Sequence, residues 1–434
     1  MPTILIRNGR VLDPASGRDE QADVLIHGGR IARIGRRLDA PGEAEVIDAG
    51  GCLVTPGLVD PHVHLREPGG EHKETIATGT RAAVAGGFTT VCCMPNTSPA
   101  LDAPETLRFV TDRAAETGSC RVFPVAAGTV GRKGREVVDV AALVQAGAVG
   151  FSDDGDAIAD RDVMARVLEA VRPTGLAFMQ HCQDHAMTGN APMHAGRISA
   201  RLGLRGWPRE AEETIVERDV ALVRASGCRY HVQHISSGGT VELIRRARAE
   251  GLPVTGEASP HHLLLTHEAC AGYDTHAKMN PPLREAADVE ALRRGVAEGI
   301  VTVLATDHAP HAPEEKGLPF EQAPFGIVGL ETALPLYAEA LVHSGAIGWE
   351  RLIALLTMEP ARLCNLDRLG IGRLEEGGPA DVAVIDPDEA WTITPGDLAG
   401  RSRNSPFLGR RVRGRIAATI AAGVVRHARS PAGA

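Results

Sequence analysis

Eight short apolar runs, separated by stretches with helical periodicity, occupy the middle of this chain and constrain its fold more than any other feature. They are LVDPHVH (58–64), FTTVCCM (88–94), RVFPVAA (121–127), VGFSDD (149–154), LAFMQH (176–181), RYHVQHI (229–235), LPVTGEA (252–258) and VTVLATD (301–307). The segments between them repeat apolar residues at helical spacing, and several end in glycine. Apolar strands alternating with helices are typical of a parallel sheet covered by helices in an α/β protein. Eight such units predict a closed, TIM-like (β/α)₈ barrel.

The two ends of the chain have a different texture. Residues 3–54 and the stretch after about 380 consist of short alternating apolar segments broken by Asn-Gly and Gly-Gly, which is typical of strands joined by hairpin turns. We therefore expect one small β-sandwich domain built from both termini, residues 1–55 and 368–434, with the barrel, residues 56–367, inserted between them. Within the barrel, the longer connections 182–228 and 259–300 are predicted to be insertions or elaborated helical loops at the rim.

Composition limits the possible partners. The 434 residues carry 46 Lys+Arg against 55 Asp+Glu, a formal net charge of -9, so nucleic acid and anionic membranes are not expected partners. A small anionic substrate remains compatible, because one site can be positive on an acidic protein. The eight cysteines form no CxxC pair and mostly sit singly in apolar runs, which argues against a disulfide framework or a thiolate metal site. With no signal-peptide pattern and no long apolar run, the predicted location is the cytoplasm.

Metal-competent side chains recur where the predicted strands end. His62 and His64 are two residues apart, so both point to the same side of the first strand. Four more such residues lie at or near the ends of later runs: Asp154, His181, His234 and Asp307. Barrel active sites are built at the carboxyl ends of the strands, so six candidates at that rim predict a metal site there. Taken singly each is weak, because a lone histidine is usually a packed or surface residue and Asp154 could be an ordinary turn residue.

Seven other histidines fail this positional test or lie in predicted loops: His72, His185, His194, His261, His262, His267 and His276. We expect structural roles for them, although His261 and His262 directly follow the seventh run and are the nearest alternatives. The candidate ligands are nitrogen and oxygen atoms, which suit Zn²⁺ better than Mn²⁺, Co²⁺ or Fe²⁺. Six ligands exceed what one tetrahedral ion needs, so we expect one or two zinc ions per chain, with two favoured and Asp154 as their bridge. Hydroxide held by such ions attacks amides, esters or phosphoesters at neutral pH.

Several motifs resemble the dihydroorotase family of the metal-dependent amidohydrolase superfamily over nearly the whole chain. They are PGLVDPHVHLREPG (56–69), HKETIATGTRAAVAGGFTTVCCMPNT (72–97), ASPHHLLLT (258–266), MNPPLR (279–284), ATDHAPH (305–311) and APFGIVGLETALPL (323–336). The resemblance implies reversible cyclisation of N-carbamoyl-L-aspartate to L-dihydroorotate and water, a step of pyrimidine (UMP) biosynthesis. It also implies a homo-oligomer and possible association with aspartate carbamoyltransferase.

The resemblance also assigns roles to matching positions. His62 and His64 correspond to ligands of one metal, His181 and His234 to ligands of the second, and Asp154 to the shared ligand. Asp307 corresponds to the catalytic aspartate, which also touches the first metal. The positions that correspond to substrate contacts are Arg66 and Asn96 for the carboxylate, His311 for a further contact, and Asn280, Phe325 and Gly326 for the pyrimidine ring.

Two of these assignments have simpler readings from the residues alone. Arg66 offers a planar fork suited to a carboxylate, but a rim salt bridge is the ordinary role of such an arginine. Asn96 could equally be a turn residue. At the bridge, many amidohydrolases use a carbamylated lysine, whereas the fourth run here ends in SDDG. Asp153 competes with Asp154 for that position, and the place of Asp154 in the DDG motif favours it.

The mechanism implied by the resemblance is attack of a metal-bound hydroxide on the ring amide, with Asp307 acting first as base and then as acid. The polar segment 311–326 could be a lid that excludes water or a plain solvated loop. Two other functions remain open. One is a related cyclic amidase acting on hydantoins, dihydropyrimidines or allantoin. The other is a non-catalytic dihydroorotase-like subunit of aspartate carbamoyltransferase, which the presence of all six ligand candidates disfavours.

Overall fold

In the computed structural model, which describes residues 2–429, strands from both ends of the chain pair in one sheet. The first five strands are β1 (Ile4–Asp13), β2 (Arg18–His27), β3 (Arg30–Gly35), β4 (Glu45–Asp48) and β5 (Leu53–Pro56); the last three are β15 (Val382–Thr392), β16 (Arg411–Ala421) and β17 (Val424–Ala428). Their order is β17-β16-β15-β5-β1-β2-β3, with β4 beside β1. The two-layered arrangement expected of a sandwich stays a prediction.

Alternating apolar residues explain why these segments pair. Ile4, Val24, Val54, Val384 and Ile420 come from five different strands and share one fully buried core. The tight turn from β2 to β3 passes through two glycines at 28 and 29, whose φ angles are 58° and 79°, a region that glycine enters without steric cost. The Gly-Gly hairpin expected from the sequence is therefore confirmed.

Seven further strands are parallel to their neighbours and carry the site. They are β6 (Leu58–Val63), β7 (Phe88–Cys93), β8 (Arg121–Pro124), β9 (Ala177–Gln180), β12 (Arg229–Val232), β13 (Val254–Ala258) and β14 (Val303–Leu304). They form two sheets, β6-β7-β8 and β9-β12-β13-β14. Isolated parallel β-bridges join the two sheets. On one side Phe151 pairs with both Ala126 and Phe178, and on the other side Val63 pairs with His308. Backbone pairing thus passes through all eight predicted runs.

One of the eight predicted strands is wrong in detail. The fourth run, 149–154, forms no regular strand, although backbone hydrogen bonds join residues 149–152 to residues 124–126 on one side and to residues 177–179 on the other. Its backbone turns away immediately afterwards, because Asp153 accepts hydrogen bonds from the backbone N–H groups of Gly128 and Thr129, at 2.8 and 3.0 Å. The Ser152 hydroxyl also accepts from the Asp154 N–H at 3.0 Å. These bonds replace the strand ladder at the point where the DDG turn begins.

Helices fill the connections between the parallel strands. They are α1 (Ile76–Ala85), α2 (Pro104–Thr117), α3 (Val140–Gln145), α4 (Arg161–Val171), α5 (His185–Thr188), α6 (Arg197–Leu202), α7 (Glu210–Ser226), α8 (Gly238–Ala249), α9 (Pro260–Leu264), α10 (Ala286–Ala297), α11 (Pro313–Lys316), α12 (Ala333–Tyr337), α13 (Trp349–Leu356) and α14 (Met358–Leu363). Two short strands, β10 (Met193–His194) and β11 (Gly206–Trp207), lie in the predicted insertion 182–228. The α/β class is therefore confirmed.

Local sequence explains the ends of these helices. Asp160 begins α4 by accepting from the N–H groups of Asp162 and Val163, both at 2.9 Å. Gly227 ends α7 with a φ of 69°, as expected from the glycine after that apolar repeat. No helix within residues 2–429 is both long and apolar enough to cross a membrane.

Candidate metal centre and substrate pocket

A buried aspartate joins the first parallel strand to the last. The Asp60 carboxylate accepts from the Thr306 hydroxyl at 2.6 Å and from the His62 N–H at 3.1 Å. The His64 N–H donates to the His308 carbonyl at 2.9 Å. Burial raises the pKa of Asp60 to about 7. These contacts place the HxH pair and Asp307 side by side at the carboxyl end of the strands.

Asp154 lies at the centre of the six predicted ligands. Its Oδ1 is 3.4 Å from His62 Nε2, 3.5 Å from His234 Nε2 and 3.6 Å from His181 Nδ1. Its Oδ2 is 3.5 Å from His64 Nε2. Two groups of three residues each have their ligand atoms within 4.8 Å of one another. The first group is His62, His64 and Asp154, and the second is Asp154, His181 and His234. Asp154 is the only member that the two groups share.

Asp307 joins the first group. Its Oδ1 lies 3.0 Å from His64 Nε2 and 3.5 Å from His62 Nε2. The competing candidate Asp153 is not in the cluster, because its carboxylate is bonded to the 128–129 backbone described above. All six predicted ligands are therefore brought together, at 5% exposure or less.

Backbone strain is concentrated at the same place. Arg66, His234 and Asp307 have φ angles of 61°, 29° and 49°, in the left-handed region that residues with a Cβ rarely occupy. Each such conformation costs on the order of 1–3 kcal/mol and persists only where surrounding contacts enforce it. Strain at three predicted site residues supports a role for them beyond packing.

The donor set fits a divalent metal. His62 Nε2 is buried and has no hydrogen-bond partner among residues 2–429, although it lies between two carboxylates. Leaving a buried ring nitrogen without a partner is unfavourable unless a ligand occupies the position. Imidazole nitrogen and carboxylate oxygen are suited to zinc and related transition ions. These residues could therefore hold a metal cofactor.

Neighbouring histidines determine the charge of the two aspartates in the cluster. Burial opposes ionisation of Asp154, but the positive His62 and hydrogen bonds from His181 hold the pKa of its carboxyl well below the usual range. Burial likewise opposes ionisation of Asp307, and His62 and His64 lower its pKa to about 2. Both aspartates are therefore anionic at neutral pH. Burial lowers the pKa of His64 below its ordinary value.

Glu257, at the end of β13, supports His62 from behind. Its Oε1 is 2.6 Å from His62 Nδ1 and accepts from the His234 N–H at 3.2 Å. Its Oε2 is 3.0 Å from His231 Nε2. Because a carboxylate only accepts, His62 Nδ1 is the donor and Nε2 is directed to the cluster. This residue was not predicted from the sequence, although it is the penultimate residue of the seventh run and so lies near the same rim as the other candidates.

A cavity of about 300 Å³ opens above the cluster. Every predicted site residue lines it except His62, which is fully buried and contacts Asp154 and Asp307. The lining members are His64, Arg66, Asn96, Asp154, His181, His234, Asn280, Asp307, His311, Phe325 and Gly326. Four other lining residues, Gly155, Met279, Ala309 and Pro324, were not predicted from the sequence. All four lie within motifs quoted above, but their side chains are small or apolar and carry no reactive group that marks them as site residues.

Arg66 brings positive charge to this cavity. Its Nε donates to the Pro310 carbonyl at 3.1 Å, and its Nη2 lies 3.4 Å from His311 Nε2. Within residues 2–429 no carboxylate lies within 4.0 Å of the guanidinium, so the alternative of a rim salt bridge is wrong. Burial lowers the pKa of Arg66 only to about 10, so the side chain is cationic at neutral pH. A cation without a paired carboxylate favours an anionic ligand.

Asn96 and His311 have more specific contacts than the sequence indicates. Asn96 Oδ1 lies 2.8 Å from His64 Nδ1, and its amide donates to Asp154 at 3.4 Å. The side chain thus orients two predicted metal ligands in addition to lining the cavity. Burial and the nearby Arg66 lower the pKa of His311 to about 3, so this ring is neutral at pH 7.

The two histidines that follow β13 lie outside the cluster. His262 Nε2 lies 2.9 Å from the Pro281 carbonyl, a structural contact as expected. His261 packs against it with the two rings tilted by 59° and their centroids 4.4 Å apart, and it does not line the cavity. Neither belongs to the two groups of clustered ligands.

Comparison with known proteins identifies the family. A protein-family profile described as "Dihydro-orotase-like" matches residues 51–240. A dihydroorotase from Syntrophotalea carbinolica is 50% identical over 420 residues, which are 97% of this chain and 98% of that protein. The chain belongs to the dihydroorotase family. A dihydroorotase from Anaeromyxobacter dehalogenans is 48% identical and covers 98% of both chains. The predicted family and function, dihydroorotase in pyrimidine biosynthesis, are confirmed by these relatives.

Solved structures of cyclic amidases have a similar fold. An L-hydantoinase (dihydropyrimidinase) from Arthrobacter aurescens matches with a TM-score of 0.86 and 25% identity over 98% of this chain and 96% of that chain. A D-hydantoinase (dihydropyrimidinase) from a Thermus species matches with a TM-score of 0.82 and 25% identity over 97% and 94%. Sequence identity to the dihydroorotases is about twice as high, so these matches establish kinship with cyclic amidases as a class.

Proposed function

We propose that this chain interconverts N-carbamoyl-L-aspartate and L-dihydroorotate at the cavity above Asp154. The observation that carries the proposal is the cationic Arg66, which has no paired carboxylate and lines the same cavity as the histidine and aspartate cluster. A cyclic amide that bears a carboxylate would bind both Arg66 and the histidine and aspartate cluster, whereas an unsubstituted hydantoin would bind only at the cluster. The relatives that are nearly 50% identical are dihydroorotases, which supports the same choice.

We infer that the cofactor is a pair of zinc ions. His62, His64 and Asp307 would hold the first, His181 and His234 the second, and Asp154 both. The nitrogen and oxygen donors and the unpartnered Nε2 of His62 support this assignment. When bound, such ions supply Lewis acidity toward a carbonyl group and lower the pKa of water to near neutrality.

The chain's own residues perform the remaining tasks. Arg66 binds and orients the substrate carboxylate with two parallel N–H donors. Asp307, anionic because its pKa is about 2, accepts a proton from the attacking water at its carboxylate and then delivers it to the departing ring nitrogen. In the reverse direction it removes a proton from the carbamoyl nitrogen. Asn280, Phe325 and Gly326 enclose the ring and limit access of bulk water.

We also propose the domain division and architecture that this function requires. Residues 56–367 form a closed (β/α)₈ barrel, and residues 1–55 and 368–434 form one β-sandwich domain beside it. The bridges at Phe151 and His308, which join the two parallel sheets, support closure. Assembly into a homo-oligomer, association with aspartate carbamoyltransferase and a cytoplasmic location stay predictions.

A substrate comparison tests the proposed function. Ring opening of L-dihydroorotate and of hydantoin is followed in the ultraviolet, with the metal content of the same samples measured. We expect kcat/KM for dihydroorotate to exceed that for hydantoin by at least about a hundredfold, because a buried arginine without its carboxylate partner loses a charge-assisted bond. A chelator should abolish turnover. Faster hydantoin hydrolysis would support a different cyclic amidase, and absence of both metal and turnover a non-catalytic subunit.

A matched pair of variants isolates Arg66. Arg66→Met should raise KM for dihydroorotate at least about tenfold with unchanged metal content. The variant loses the charge-assisted bond to the substrate carboxylate, and about 1.4 kcal/mol of lost binding free energy corresponds to a factor of ten. Arg81→Met, which removes an exposed arginine outside this cavity, is the control and should leave KM unchanged. Equal KM values in the two variants would contradict the role of Arg66.

A further inference from the structure

Lysine is rare in this chain, and half of its lysines are buried. Only four of the 46 basic residues are lysines, at positions 73, 133, 278 and 316; all others are arginines. Lys278 and Lys316 are 2% and 3% exposed, although lysine is among the residues least often buried. In a chain that uses arginine nearly everywhere, two buried lysines indicate positions where arginine does not serve.

Both buried lysines bind backbone carbonyls of one short segment. Lys278 Nζ donates to the carbonyls of Phe320 and Ala323, each at 2.6 Å, and of Glu321 at 3.1 Å. Lys316 Nζ donates to the carbonyls of Pro324 at 2.9 Å and Gly326 at 3.2 Å. Five carbonyls of residues 320–326, hereafter the 320–326 wall, are thus held by two lysine amino groups. In its charged form such a group makes bonds that are roughly twice as strong as neutral ones.

The chemistry explains the choice of lysine. An ammonium group is compact and offers three tetrahedral N–H donors, whereas a guanidinium is a larger planar fork that matches carboxylates. Within residues 2–429 neither Lys278 nor Lys316 has a carboxylate within 4.0 Å, so the carbonyls are their main partners. Burial, and then the positive charge of Lys278, lower the pKa of Lys316 to about 7.

The 320–326 wall forms one side of the substrate cavity. Pro324, Phe325 and Gly326 line that cavity. The Lys278 ammonium lies 4.7 Å from the centroid of the Phe325 ring, and the Gly326 N–H donates to the Lys278 carbonyl at 3.0 Å. Gly326 also has a φ of 146° and sits so close to His311 that an added Cβ would lie 2.7 Å from the ring. The position of this wall therefore sets the width of the cavity.

We propose that Lys278 and Lys316 are positioning residues that fix the 320–326 wall, and with it Phe325 and Gly326, against the substrate ring. The segment is then a permanent side of the cavity and not a lid that opens at each turnover. The contact with substrate rests on the proposed function, whereas the fixed position of the wall does not.

Hydrogen–deuterium exchange of the metal-loaded, unmodified protein is the first test. We expect the amides of Ala323 and Gly326, which are buried and donate to the carbonyls of Pro319 and Lys278, to exchange far more slowly than those of the exposed segment 36–44. Exchange as fast as that of 36–44 would overturn the proposal, and this result needs no variant that folds. The exchange measurement does not depend on turnover, so failure of this proposal can be distinguished from failure of the proposed function.

Substitutions then test the role of each ammonium group. Lys278→Met and Lys316→Met should speed exchange in 320–326 at least about tenfold and raise KM for dihydroorotate by a similar factor, with kcat within about threefold and metal content unchanged. Lys316→Arg should show the same defects, because charge alone does not reproduce the geometry. Lys133 is exposed and lies outside this cavity, so Lys133→Met and Lys133→Arg are matched controls expected to behave as wild type. Normal exchange and KM in the Met variants, or full function in Lys316→Arg, would refute the assignment.

Discussion

Substitution of Glu257 by glutamine tests whether the metal centre depends on support from outside its ligands. Glu257 accepts from His62 Nδ1 at 2.6 Å, from His231 Nε2 at 3.0 Å and from the His234 N–H at 3.2 Å. Glutamine has nearly the same shape, but one of its two terminal atoms is an NH₂ group that cannot accept. At least one of the three donors therefore loses its acceptor, and His62 loses the negative charge that holds its orientation.

The expected cost follows from that lost bond. A hydrogen bond to a charged group contributes about 1.5–3 kcal/mol, which corresponds to a factor of about 10 to 150 in an equilibrium constant. Loss of a partner behind a metal-binding histidine typically lowers metal affinity by about 10- to 100-fold, in agreement. We therefore expect Glu257→Gln to bind zinc at least about tenfold more weakly, as measured by competition with a chromophoric chelator.

A matched control separates metal affinity from general damage. Glu331 is another buried glutamate; it accepts from the N–H groups of Ala399 and Gly400 at 2.8 and 3.0 Å and does not line the substrate cavity. Glu331→Gln should lower the free energy of unfolding but leave zinc affinity unchanged. If Glu257→Gln binds zinc within twofold of the wild type, His62 does not depend on this carboxylate and the reasoning fails.

Three further changes probe catalysis, pH dependence and the core. Asp307→Asn should reduce kcat by about 10²- to 10⁴-fold with the protein still folded, as checked by steady-state kinetics and circular dichroism, because an amide cannot take up the proton. Burial opposes ionisation of Glu315, but Lys73, at 2.8 Å, lowers its pKa to about 2, so its stabilising effect is complete above about pH 4.5 and lost as pH falls toward 2. Glu315→Gln should remove that part of the acid dependence of urea unfolding, and an unchanged profile would contradict it. Tyr230→Phe removes the hydroxyl that donates to buried Asp219 at 2.7 Å, and should cost about 1.5–3 kcal/mol in urea unfolding.

Much of the fold follows from patterns that act locally. Apolar runs with turn residues between them predict the strands, and glycine after an apolar repeat predicts the end of α7 at Gly227. The fourth run stops pairing after Ser152, where Asp153 instead accepts from the 128–129 backbone, a contact between separate loops that no local pattern reveals. Strand β14, with only two residues, is likewise shorter than its apolar run indicates.

The candidate site likewise contains some residues that the sequence predicts and others that it does not. The six predicted ligands were found because parallel strands bring their carboxyl ends to one rim, so position in sequence fixes position in space. Glu257 occupies an equivalent position but was passed over, because its partner His62 lies 195 residues away and their contact depends on side-chain distance. Lys278 and Lys316 follow irregular segments without periodicity, so only the folded chain reveals that they bind the 320–326 wall.

Pairing of β5 with β15 has a consequence for biosynthesis. Leu53 lies opposite Ile385, so the sheet that contains both cannot be completed until more than three hundred intervening residues have been translated. At ribosomal rates of about 5–20 residues per second, the early strands wait for roughly 15 to 70 seconds with an unsatisfied hydrogen-bonding edge. During that interval the nascent polypeptide exposes a template for aggregation, which makes chaperone capture of its leading segment advantageous to the cell.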